Sequence, residues 1–93
     1  MITIRFFTLL QLLLNRKELE LPYIPEETIR TLLERIQTQI ETRFLHKLLQ
    51  EQGNLKIGTI ILVNGRNIHH LQKLNTPLSD GDEVALFPPG GGG

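Results

Sequence analysis

The chain has 93 residues, ten Lys and Arg against ten Asp and Glu, and no cysteine. The even charge removes the electrostatic drive toward nucleic acid or an anionic membrane, and the missing thiols exclude disulfides, thiolate catalysis and zinc–thiolate sites. Its length predicts one domain, which hides only about 60–65% of its unfolded surface. Apolar residues make up 40% of the chain, enough for a soluble globular core rather than disorder. The longest apolar run, Leu9 to Leu14, is broken by Gln11 and falls far short of the ~18 residues of a membrane helix. The N-terminus lacks the basic start and small-residue cleavage site of a signal peptide, so a cytoplasmic location is expected.

Ile2, Ile4 and Phe6 alternate with Thr3, Arg5 and Phe7, a period of two that predicts a strand from the start of the chain. Leu9 to Leu14 reads as a short helical turn or a loop. Lys17 to Leu21 alternates again and predicts a second strand, hairpin-paired to the first and stopped by Pro22 and Pro25. Ile29, Leu32, Leu33, Ile36 and Ile40 form the stripe of one amphipathic helix. Pro25, Glu26 and Glu27 suit its first turn, and Glu26 is placed to pair with Arg30. A second short helix is predicted from Phe44 to Gln50, ended by Gly53 and Asn54.

Thr59 to Val63 is β-branched and dense, hence a strand, and Asn64-Gly65 is a turn that tolerates positive φ. Ile68 to Leu74 is irregular. Asp80-Gly81-Asp82 makes a further turn, and Glu83 to Phe87 the final strand. A hairpin, a packed helix and a return to the sheet give an α+β roll. Residues 1–87 form the domain, and residues 88–93 form an extended tail.

The tail is the one low-complexity segment. Gly90 to Gly93 have no side chains to pack and lose the most entropy on ordering, so they add nothing to a fold. A frayed end explains four glycines, but it does not explain the stiff base that Pro88-Pro89 gives them. With Gly92 and Gly93 last, the terminal carboxylate has no Cβ beside it and fits a narrow channel. Six residues follow Phe87, a reach of at most ~20 Å.

The stretch Val63-Asn64-Gly65-Arg66-Asn67-Ile68 resembles the MoaD/ThiS-type sulfur carriers. So do Leu74-Asn75-Thr76-Pro77-Leu78, Asp80-Gly81-Asp82-Glu83-Val84, Phe87-Pro88-Pro89 and the terminal Gly92-Gly93. Ile4-Arg5-Phe6-Phe7 is similar to that family's first strand, and the likeness is strongest to the small subunit of molybdopterin synthase. It spans the chain and is thinnest from Gln37 to Asn54. Gly90 and Gly91 depart from the family, which often carries a bulkier residue there.

The resemblance implies a β-grasp, ubiquitin-like roll: a mixed four- to five-stranded sheet on one main helix, with a flexible glycine-rich tail. It implies that the Gly93 carboxylate, with Gly92 beside it, is adenylated by a ubiquitin-activating-like adenylyltransferase. The acyl-adenylate becomes a thiocarboxylate that donates sulfur in molybdenum or tungsten cofactor synthesis, inside the molybdopterin synthase large subunit. ATP serves the activating enzyme, and no cofactor is bound by this chain. Other readings share the activation chemistry: a modifier conjugated to lysines, or a carrier for thiamine, cysteine or tRNA thiolation. A fourth is a plain interaction domain with an inert tail.

In a β-grasp sheet the first and last strands are neighbours. If Ile2, Ile4, Phe6, Val84 and Leu86 face the helix, then Phe7 and Phe87 face outward together. Likeness to ubiquitin's corresponding strand puts Ile61 and Val63 inward and Leu62 outward. Phe7, Leu62 and Phe87, with Pro88 and Pro89, are therefore the expected partner-binding surface at the base of the tail.

His46, His69 and His70 lack a completing ligand set, and adjacent His69 and His70 tend to point apart, so no metal site is expected. Asp80, Asp82 and Glu83 are explained by the turn, Arg66 by a solvated turn position, and Ser79 has no visible base. Nothing in the sequence supports a self-contained enzyme.

Overall fold

Alternation along the first strand decides the interior. Ile2, Ile4 and Phe6 are buried while Arg5 is exposed, as the two-residue period requires. The computed structural model describes residues 1–90. In it the strands are β1 (Ile2–Phe6), β2 (Glu18–Leu21), β3 (Ile60–Val63), β4 (Arg66–Asn67) and β5 (Glu83–Phe87). They form a single five-stranded sheet in the order β2-β1-β5-β3-β4. β1 and β2 are antiparallel, with Ile4 opposite Leu19. β1 and β5 are parallel, with Ile4 opposite Val84 and Phe6 opposite Leu86. β3 lies antiparallel to β5, with Leu62 opposite Ala85. β3 turns into β4 at Asn64-Gly65, where φ is 51° and 83°; both central residues of a tight hairpin turn need positive φ.

A parallel pair cannot be joined by a tight turn, so the chain must cross the sheet between β1 and β5. The main helix α2 (Ile29–Gln39) lies on this crossing and buries Ile29, Leu32, Leu33 and Ile36 against the sheet's inner face. Two further helices flank it in sequence, α1 (Thr8–Leu14) and α3 (Leu45–Leu48). Short 3₁₀ turns cover Ile68–His70 and Lys73–Asn75, within the stretch the sequence marks as irregular. Phe44 is fully buried, its ring edge-on to Phe6 at 6.3 Å. The topology is the expected β-grasp α+β roll.

Several local expectations are corrected. Leu9 to Leu14 is neither loop nor single turn but most of α1, which buries Leu10 and closes on Asn15 in the left-handed region. α2 does not begin at Pro25: Pro25 and Glu26 form a turn ahead of it, and Thr28 is the cap. The backbone N–H of Thr31 donates to Thr28 Oγ1, and that of Thr28 donates to Thr31 Oγ1, satisfying two donors that the helix start leaves open. Among the described residues Glu26 makes no ion pair with Arg30. Ile40 is the C-cap of α2 rather than part of its body, although it still packs on the core. The predicted second helix shrinks to α3, with Phe44 as its N-cap.

The carboxylate that matters near α2 is Glu27, which is buried. Arg35 donates to both its oxygens, from Nε at 2.9 Å and Nη2 at 2.8 Å, and Nη2 also reaches the carbonyl of Pro22 at 2.8 Å. This fork ties the β2 exit to the helix flank. Removing one member of a largely buried pair strands the other, so Glu27→Ala is expected to cost about 2–3 kcal/mol. Glu27→Ala with Arg35→Ala should cost less than the two single losses summed, when read by urea unfolding with an unchanged slope.

Candidate functional site

On the outer face of the sheet the outward-pointing residues line up in rows. Leu62, Ala85, Arg5 and Glu18 are successive register partners across four strands. Ile60 and Phe87 pair in the next row, and Phe7 stands just past the end of β1. The rings of Phe7 and Phe87 stack at 4.4 Å between centroids and 9° between planes. Such a stack adds about 0.5–1.5 kcal/mol beyond the area it hides. Phe7, Leu62 and Phe87 are each half-buried. The structure thus gathers the three expected residues at the β5 end, and Ile61 and Val63 point inward.

Ile60 was not singled out by sequence reasoning, yet it is 42% exposed beside Phe87. The signal was present: the parity that sends Leu62 outward sends Ile60 with it. The apolar end of the face borders a charged one. Arg5 lies 3.1 Å from Glu83 and 3.6 Å from Glu18, a row of alternating charges across three strands. A partner that covers this face meets an apolar anchor and an ionic margin, the usual division of an interface.

The root of the tail differs from expectation. Pro88 is buried and Pro89 half-buried, so the Pro88 ring packs on the body instead of standing free for a partner. Pro89 lies against Gly58, where an added Cβ would meet Pro89 Cβ at 3.3 Å. Gly58 has φ +94°, a conformation that side chains rarely adopt. No sequence signal beyond the glycine itself pointed to that contact. The prolines are therefore a clamped hinge point from which Gly90 leaves, exposed. Gly92 and Gly93, the expected reacting end, lie outside the described residues.

The rest is structural. Asn64 Nδ2 donates to Asp82 Oδ1 at 2.8 Å, the Ser79 N–H donates to Asp82 Oδ2, and Glu83 N–H donates to Asn64 Oδ1. These bonds lock the turn before β5 to the β3 hairpin, giving Asp82 a structural task. The His69 and His70 rings do not point apart: they lie edge to face at 5.6 Å. Among the described residues no group of three or more His, Cys, Asp or Glu is arranged to hold a metal, and no helix is long and apolar enough to cross a membrane.

A β-grasp body with an apolar sheet face at the root of a glycine tail defines a ubiquitin-like carrier or modifier class. Residues 4–93 match the ThiS family, and the chain belongs to it. The family takes in ubiquitin-like sulfur carriers and protein modifiers. The chain is 31% identical over 90 residues to small archaeal modifier protein 3 of Haloferax volcanii, covering 97% of this chain and 96% of that one. Small archaeal modifier protein 1 of Methanosarcina acetivorans is 29% identical with a TM-score of 0.77, over 99% of this chain and 95% of that one. A Pyrococcus furiosus protein described as a candidate molybdopterin converting factor, subunit 1, is 26% identical with a TM-score of 0.71, over 96% and 97%.

Gly58→Ala tests the clamp. Positive φ and the crowded Pro89 ring together are expected to cost about 1–2 kcal/mol in thermal or urea unfolding. The amide signal of Gly90 should shift while those of β1 stay in place.

Proposed function

We propose that the chain is a non-catalytic sulfur carrier whose Gly93 carboxylate is activated by ATP on an adenylyltransferase and loaded with sulfur for molybdopterin synthesis. The observation that carries the reading is family membership running through Gly93, on a body whose stacked Phe7–Phe87 pair stands at the root of that tail. The Pyrococcus furiosus relative supports the pterin branch.

The chemistry divides cleanly. A carboxylate is a poor acylating group because its leaving group is oxide. Attack of a Gly93 oxygen on the α-phosphorus of ATP releases pyrophosphate and leaves an acyl-adenylate. A sulfide equivalent then adds at the carbonyl and expels AMP, which leaves a thiocarboxylate. Its soft sulfur attacks an electrophilic carbon of the acceptor inside the large synthase subunit and displaces an oxygen leaving group, giving a thioester. Water then cleaves the acyl–sulfur bond, restoring the Gly93 carboxylate and leaving the sulfur on the acceptor as a thiolate. This chain supplies the carrier, and the partners supply the catalytic groups. With Pro88 and Pro89 held by the body, the four glycines give a thread of about 14 Å at full extension. The absence of side chains keeps it thin enough for a closed site. Docking through Phe7, Ile60, Leu62 and Phe87 supplies affinity, and the proline clamp limits the conformations lost as the thread is positioned.

A second reading has its own support. The Haloferax volcanii relative, matched over nearly its whole length, is named as a modifier protein. There the same acyl-adenylate would end in an amide with a lysine amine of a target.

Both readings require Gly93, and ATP–pyrophosphate exchange with the matching activating enzyme checks it. Converting the Gly93 carboxylate to an amide should abolish exchange and leave unfolding unchanged; normal exchange by the amidated chain would reject the terminal carboxylate as the site. Phe87→Ala should weaken large-subunit binding by roughly 2 kcal/mol, the scale of an aromatic hot spot.

A further inference from the structure

Next to the tail root, the start of α2, the loop from 54 to 59 that carries Gly58, and residues 69 to 75 line an open cleft of about 590 Å³. That volume falls within the range of small-molecule sites. Arg30, Lys56, His69 and Lys73 line it, and no Asp or Glu does. In a chain with equal numbers of acids and bases this is a marked segregation. Among the described residues the side-chain ion pairs engage Arg5 and Arg35, and none of Arg30, Lys56 or Lys73 has a carboxylate within 4 Å. Like charges gathered without a counter-charge repel one another, and an anion in the cleft would relieve that repulsion.

One of these cations is held in place by its charged group, and another is fixed at its backbone. Arg30 Nη1 donates to the carbonyl of Gly53 at 3.1 Å, which fixes the guanidinium at the wall and leaves its remaining donors open. Lys73 has φ 53°, a left-handed conformation unusual for a residue with a Cβ. Its carbonyl is gripped by Thr76, from Oγ1 at 2.7 Å and the backbone N–H at 3.1 Å. Leu55 and Leu74 add apolar lining.

We propose that this cleft binds a phosphorylated small molecule, with Arg30, Lys56 and Lys73 on its phosphates and the apolar lining against its body. A planar guanidinium and two ammonium groups lining one cleft match phosphate oxygens, and a cleft of this volume suits a small molecule better than an extended acidic chain. The inference stands apart from the Gly93 reading and does not need it.

The test is a titration of the full chain with ADP at low ionic strength, followed by backbone amide NMR. Wild type is compared with Lys56→Gln/Lys73→Gln and with Lys17→Gln, an exposed lysine outside the cleft. Saturable shifts confined to residues 28–31, 53–59 and 68–76 are expected. The double variant should bind about tenfold or more weakly, and Lys17→Gln should bind like wild type. Non-saturating shifts, shifts centred elsewhere, or equal binding by the double variant would overturn the proposal. Tighter binding of a hexaglutamate peptide than of ADP would also overturn it, in favour of an acidic protein segment.

Discussion

The parallel pairing of β1 with β5 sets where the tail leaves the sheet. It joins the two ends of the chain at the centre of the sheet, with Thr3 opposite Glu83 and Phe6 opposite Leu86. Once that register is fixed, Phe7 and Phe87 each lie one residue beyond the last pair, which brings their rings together. The tail then leaves from the middle of the sheet instead of an edge. A parallel pair also obliges the chain to cross the sheet, and the apolar stripe of α2 on that crossing supplies most of the helical side of the core. One pairing therefore places the core, the sheet face and the tail root together.

The two faces of the sheet divide the work. The inner face is dry and closed by Ile2, Ile4, Phe6, Ile61, Val84 and Leu86. The outer face is left open and graded, from Phe7, Ile60, Leu62 and Phe87 at one end to the Arg5, Glu18 and Glu83 row beside them. Pro88 and Pro89 then fix the direction in which the chain leaves, because Pro88 is buried and Pro89 is seated on Gly58.

The legible parts of the fold were those with a clean period. Ile2, Ile4 and Phe6 at two residues, and Ile29, Leu32, Leu33 and Ile36 at helical spacing, each specify one buried face. The family resemblance then supplied the pairing of the first and last strands, and the rest of the strand order came only from the structure. Other features depend on contacts between distant segments, which no local period encodes. α1 is almost uniformly apolar, so only its packing of Leu10 shows which side faces in. Composition points to Pro25 as the start of α2, but a reciprocal Thr28–Thr31 cap decides it, and Glu27, whose place in the sequence suits the helix dipole, holds Arg35 instead. At the site, strand parity yields Phe7 and Phe87, and likeness to ubiquitin's corresponding strand adds Leu62. The Pro89–Gly58 contact joins residues 31 positions apart and left no trace in either neighbourhood.

The central claim is chemical: the last carboxylate is the group that reacts. The most direct measurement is the intact mass of the protein isolated from its own cell, followed by fragmentation of the C-terminal peptide. Exchange of one oxygen for sulfur adds about 16 Da, and the account places that increment on Gly93. A population carrying it there is the result expected. An unmodified terminus under conditions of active cofactor synthesis, or the increment on any other residue, would contradict the account.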